Sequence, residues 1–101
     1  MITHIVFVKF TPGSTEEQKK KWRIEIAALK DKIPTIKNLI VGDKVGVPRG
    51  PVLDGGWEDA ALVMFDTEEE YRAYVTTDAH AAYKAATAGI VGDKLIYNIQ
   101  S

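Results

Sequence analysis

The sequence predicts an α+β fold of the ferredoxin-like, split βαβ kind: a four-stranded antiparallel sheet with helices on one face. Three observations carry that prediction. The hydropathy pattern runs β-α-β-β-α(α)-β, with no internal repeat and no low-complexity tract. The chain has 101 residues, room for one domain spanning residues 1–101. Its strands also carry apolar side chains on both parities, the pattern of a sheet covered on both faces.

Thr3 to Phe10, rich in β-branched and aromatic residues, reads as the first strand, and Pro12-Gly13 as the turn that ends it. Ser14 with Glu17 fits a capping box, and Thr15 with Gln18 fits it one residue later. Behind the cap, Trp22, Ile26, Leu29 and Ile33 recur at helical spacing, while Lys19, Lys20, Arg23 and Lys30 fall on other faces. Pro34 closes this helix. Asn38 to Val47 reads as a second strand weakened by Gly42-Asp43, and Pro48 to Gly56 as a loop. Asp59 to Phe65 is the third strand. Asp66-Thr67, with Glu69 and Glu70, starts a helix bearing Tyr71, Tyr74 and Val75 on one face. Asp78 is placed to cap a further helix that carries Ala82, Tyr83, Ala86 and Ile90 on one side. Lys94 to Ile99 is the last strand.

The two-faced strands have a consequence. Val6, Val8 and Phe10 oppose Ile5 and Phe7; Ala61, Val63 and Phe65 oppose Leu62 and Met64; Ile96 opposes Leu95, Tyr97 and Ile99. Helices cover one face only, and no element remains for the other. The same face of a second copy is the simplest cover, so a homodimer through the sheet is expected.

Composition narrows the function. Thirteen Lys/Arg against fourteen Asp/Glu leave no basic excess for a phosphate backbone, so no nucleic-acid partner is expected. Cysteine is absent, which removes thiolate catalysis and Cys-based metal sites. The apolar runs, such as Ala60 to Phe65, are far shorter than the roughly 20 residues that span a bilayer, and Met1-Ile2-Thr3-His4 lacks a secretory layout. A soluble, cytoplasmic protein without a membrane partner is expected. No dinucleotide, phosphate-loop, zinc-protease or serine-hydrolase motif occurs, no cofactor is implied, and no spacing demands a metal.

Two histidines remain. His4 shares the parity of Val6, Val8 and Phe10 and so points into an apolar face, as a structural histidine bonded to a backbone carbonyl or as a site residue. His80 falls in the first turn of the last helix. There the positive helix end disfavours imidazolium and leaves a ring able to accept a proton; its plainer reading is a polar residue at a solvated helix start. Tyr74 precedes it by one short break, and Tyr83 follows on the apolar side of the same helix. A tyrosine donor beside a histidine base can take a proton alpha to a carbonyl and hold the enolate oxygen.

His4-Ile5-Val6-Phe7-Val8-Lys9-Phe10, Pro12-Gly13 and Leu29-Lys30-Asp31-Lys32-Ile33-Pro34 resemble the opening of the stress-responsive dimeric A/B barrel (Dabb) family. Ala61-Leu62-Val63-Met64-Phe65, then Tyr71, Tyr74 and Asp78-Ala79-His80, resemble its second half, so the resemblance covers nearly the whole chain. It implies a ferredoxin-like protomer, dimeric through its sheet, with a small-molecule cavity between sheet and helices. Some members are cofactor-free lyases or cyclases, olivetolic acid cyclase-type polyketide cyclases among them; others are stress-associated proteins without an assigned reaction. The resemblance places the catalytic pair on Tyr74 and His80, and substrate contacts on His4, Asp59, Ile26 and Tyr83. A pocket histidine of the cyclase is matched by Asp59, a pocket tyrosine by Ile26, and its tail pocket by Thr87, Ile90 and Val91. The expected function is therefore a cofactor-independent lyase or cyclase for a small carbonyl or polyketide-like substrate, or alternatively a non-catalytic dimeric stress-response or binding protein.

Overall fold

The computed structural model describes residues 1–46 and 52–101. It contains β1 (Ile2–Phe10), α1 (Glu16–Lys32), β2 (Asn38–Val41), β3 (Asp59–Phe65), α2 (Glu68–Tyr74), α3 (Asp78–Thr87) and β4 (Val91–Gln100). The strands form one antiparallel sheet in the order β2-β3-β1-β4, the ferredoxin-like arrangement.

The competing capping frames resolve to the second. Thr15 caps α1, its hydroxyl accepting the Gln18 N–H while the Gln18 side chain accepts the Thr15 N–H. Ser14 instead donates to the Thr11 carbonyl inside the turn. At the other end, Pro34 forces Ile33 into extended backbone (φ -123°, ψ 100°), which stops the helix. Trp22, Ile26 and Leu29 turn inward from α1 and are buried with Ile33 and Ile36. The second strand ends at Val41, just before the glycine that weakened its pattern. Residues 42–46, expected to continue it, belong to no strand, while Val47 and the part of the following loop from Pro48 to Pro51 lie outside the described residues. The last strand is longer than its apolar pattern, beginning at Val91. There Gly92 is left unpaired at the register shift opposite Lys9 and Phe10, and a Cβ on it would lie 3.2 Å from the Thr11 backbone, so a side chain there would need that backbone to give by a few tenths of an ångström.

Parity divides the sheet cleanly. Ile2, His4, Val6, Val8 and Phe10 of β1 face the helices and are buried, as are Asp59, Ala61, Val63 and Phe65 of β3. Opposite them, pairing aligns Ile5 with Leu62 and Tyr97, and Phe7 with Ala60 and Leu95, on the helix-free side. On that side Ile40, Tyr97, Leu95 and Ile99 are 50%, 63%, 43% and 45% exposed. This is an apolar surface several side chains wide, larger than scattered exposed residues would make.

Candidate functional site

Tyr74 ends α2 and His80 sits in the first turn of α3. The expected cap, Asp78, is the first helical residue instead. The cap is Thr77, in extended backbone (φ -71°, ψ 152°) with its hydroxyl accepting the His80 N–H at 3.1 Å. The same hydroxyl donates to the Tyr74 carbonyl at 2.8 Å. One threonine thus ties the end of α2 to the start of α3 and sets the spacing of Tyr74 and His80, whose ring centroids lie 4.7 Å apart, edge to face. Thr77→Ala is expected to lower stability by about 1 kcal/mol in urea denaturation, and Thr77→Ser to stay near wild type.

Tyr74 and His80 line a hollow of about 240 Å³ between the helices and the sheet. His4, Ile26 and Tyr83 line it too, so five of the six residues singled out in the sequence share one space. Asp59 is not among its lining residues. It is buried four residues further along the inward face of β3 from Val63, the partner of His4, and its carboxylate accepts from Arg23 Nε and from the Ala60 N–H. Arg23 also reaches Asp43. Asp59 therefore answers a cation of α1 and does not orient His4.

Asn98 orients it. His4 Nδ1 lies 2.7 Å from Asn98 Oδ1, and Asn98 Nδ2 donates to Tyr71 Oη at 3.2 Å. With the amide nitrogen spent on Tyr71, the amide oxygen accepts, so His4 carries its proton on Nδ1 and turns a bare Nε2 the other way. The backbone carbonyl expected as its partner is replaced by a side chain. His4 stands 5.0 Å from Tyr71 and 5.9 Å from Tyr74, and burial holds its pKa below the ordinary 6.5 against the opposing pull of Asn98. No motif of the sequence marks Asn98 as a site residue, and Tyr71 stands there only as a helix-face and motif residue. Asn98 could have been found from parity, since it is a polar side chain on the inward side of the last strand, opposite His4.

Electrostatics favour a neutral base. His80 has its pKa lowered, first by burial and then by the nearby charges of Lys84, His4 and Lys94; the Val75 carbonyl pulls weakly the other way. The expected direction holds, but burial leads rather than the helix end. Tyr74 is 1% exposed, and burial pushes its hydroxyl well above the ordinary 10.0, so it remains a proton donor. Tyr83 Oη accepts from Trp22 Nε1 at 3.0 Å, which locks its ring across the hollow.

A second hollow, of about 330 Å³, shares Val6, Tyr83, Lys84 and Lys94 with the first and is walled by Thr87 and Val91 beyond them. Ile90, expected on the helix, lies past its end and packs into the core; Ala82 faces outward. A third hollow, about 710 Å³, opens at the β2–β3 end between Phe7, Ile40, Trp57 and Leu95. Each charged residue of its wall has an ion-pair partner (Lys44 with Asp54, Asp43 and Asp59 with Arg23, Glu58 with Lys19), and neither histidine lines it. Among the described residues, no group of three or more His, Asp or Glu is placed to hold a metal, and no helix is long and apolar enough to cross a membrane.

The family model for the stress responsive A/B barrel domain, Dabb, matches residues 2–100. No curated protein matches the sequence. Among solved structures, a protein of Arabidopsis thaliana superposes with a TM-score of 0.86 at 19% identity, covering 100% of this chain and 95% of that one. The hydroxynitrile lyase of Passiflora edulis gives 0.85 at 15% identity, with 97% and 90% covered. A dimeric ferredoxin-like protein of unknown function from Thermobifida fusca gives 0.81 at 24% identity, with 99% and 90% covered. At these identities the likeness is one of fold.

Proposed function

The chain belongs to the stress-responsive A/B barrel (Dabb) family, and from that premise we propose that it is a cofactor-independent lyase or cyclase acting on a small carbonyl or polyketide-like compound. The observation that carries the reading is the pairing of Tyr74 and His80, ring centroids 4.7 Å apart, on one hollow. His80, held neutral, takes the proton alpha to the substrate carbonyl. Tyr74 donates its hydroxyl hydrogen to the carbonyl oxygen as negative charge gathers there. The resulting carbanion equivalent attacks a second carbonyl or expels a leaving group, and His80 returns the proton. His4, fixed through Asn98, and Tyr83, fixed through Trp22, shape the walls, with Ile26 between them. The protein works as a homodimer, its helix-free sheet face closed by the same face of a second copy, a reading supported by the apolar exposure of Tyr97, Leu95, Ile99 and Ile40.

The test is exchange of alpha protons for deuterium in small ketones and diketones, followed by NMR. Tyr74→Phe is expected to slow exchange about 100-fold, because it removes one preorganised donor. Undiminished exchange in that variant overturns the assignment of Tyr74.

A second reading, a dimeric binding or stress-response protein without catalysis, draws support from size. The His80 hollow, at about 240 Å³, is below the roughly 300 Å³ at which small-molecule sites begin. Absence of exchange with every carbonyl compound tried, together with saturable binding of the same compounds, decides for it.

A further inference from the structure

Lys84 of α3 and Lys94 of β4 stand in the wall common to the two adjoining hollows. Three lysines elsewhere meet carboxylates, Lys19 with Glu16 and Glu58, Lys37 with Asp66, and Lys44 with Asp54, and the other unpaired lysines, such as Lys20 and Lys30 of α1, line neither hollow, whereas the partly solvated Lys84 and Lys94 line both. Neither Lys84 nor Lys94 has an ion-pair partner among the described residues. No carboxylate lines the His80 hollow. The second hollow has Asp93 in its wall, but that side chain accepts the Lys94 backbone N–H at 2.9 Å and forms no ion pair with either ammonium. Two cations therefore flank the junction, and no carboxylate among the described residues pairs with either.

We infer that the substrate of this site carries a carboxylate, which seats on Lys84 and Lys94 at the junction of the two hollows while its carbonyl carbon chain reaches Tyr74 and His80. This deepens the acid–base reading above and rests on it for the word substrate; the anion seat itself stands on the lysines. Both ammonium charges are near enough to lower the basicity of His80, so an anion bound between them restores that basicity at the moment a base is wanted. A substrate without a charge leaves the two cations unanswered beside the base.

The experiment compares 4-oxopentanoate with its methyl ester, binding being followed by NMR titration at low ionic strength. The acid is expected to bind the wild-type protein about tenfold more tightly than the ester, the scale of a charge-assisted hydrogen bond. The doubly substituted Lys84→Met, Lys94→Met protein is expected to bind acid and ester alike, with ester affinity unchanged from wild type. The His80 pKa is expected to rise when 4-oxopentanoate binds the wild-type protein and not when it is added to the double variant. Equal binding of acid and ester by the wild type, a preference that survives the double substitution, or no binding of either compound overturns the inference. His80→Ala separates the two readings: it abolishes proton exchange if the acid–base reading is right, and leaves the acid-over-ester preference in place whether or not that reading stands.

Discussion

Replacing His80 by alanine is expected to lower proton exchange and turnover by at least about 100-fold, the span of a lost general base. The imidazole is the group nearest to Tyr74 in the hollow that can accept a proton near neutral pH, and its loss leaves Tyr74 with an oxygen to polarise and no proton sink. The fold tolerates the change. His80 is half-buried at a helix start, its backbone N–H remains bonded to Thr77, and alanine is a good helix former. Unchanged far-UV circular dichroism with near-complete loss of exchange is the expected result; full activity with the same fold rules out His80 as the base. The pH profile supplies a second reading of the same residue. A base works when deprotonated, and the pKa of His80 lies below the ordinary 6.5, so activity is expected to fall only as pH drops below that value. Tyr74 titrates above the ordinary 10.0, so its loss of the donor proton places no alkaline limb below that pH.

The other large effect is on assembly. Leu62 lies beside Ile5 in the sheet, and Tyr97 lies beside Ile5 on its other flank, so the three mark the middle of the helix-free face. Leu62→Lys combined with Tyr97→Lys puts two ammonium groups there, and twofold symmetry doubles them to four. Burying unpaired charge costs several kcal/mol per group, more than the apolar contact returns at about 25 cal/mol per Å2. The wild-type protein is expected to sediment at about 22 kDa, twice the protomer mass of 11.2 kDa, and the double variant at the mass of one protomer. A wild-type protein that sediments as a protomer at micromolar concentration overturns the dimer. The variant keeps its own interior, since both side chains point away from the helices.

Much of this architecture is legible in the residues because parity and helical spacing are local properties. Asp59–Phe65 coincides with its predicted strand to the residue, since Trp57-Glu58 before it and Asp66-Thr67 after it break the apolar run. Trp22, Ile26, Leu29 and Ile33 turn inward as their spacing predicts. What failed was what depends on a partner distant in sequence. Thr77 and Asp78 are both good caps, and only backbone conformation chooses between them. Asn98 is 94 positions from His4, and its role exists only once β4 has paired with β1. The resemblance matches Asp59 to a pocket histidine by its place on the strand, but Asp59 does not line the hollow of His80 and its carboxylate is held by Arg23. The sequence points to the helix end as what depresses the basicity of His80, whereas burial is the leading cause, and burial is a tertiary quantity.

The link made by Thr77 carries one more consequence. Because a single hydroxyl clamps Tyr74 and His80 within a stretch of seven residues, 74–80, donor and acceptor travel together as one prefabricated cassette. The opposing enclosure is contributed by α1, β1 and β4 and is spelled elsewhere in the chain. Mutation can therefore resculpt the cradle to admit new molecules while the proton-moving couple stays in tune, a division of labour that suits a scaffold recruited for many chemistries.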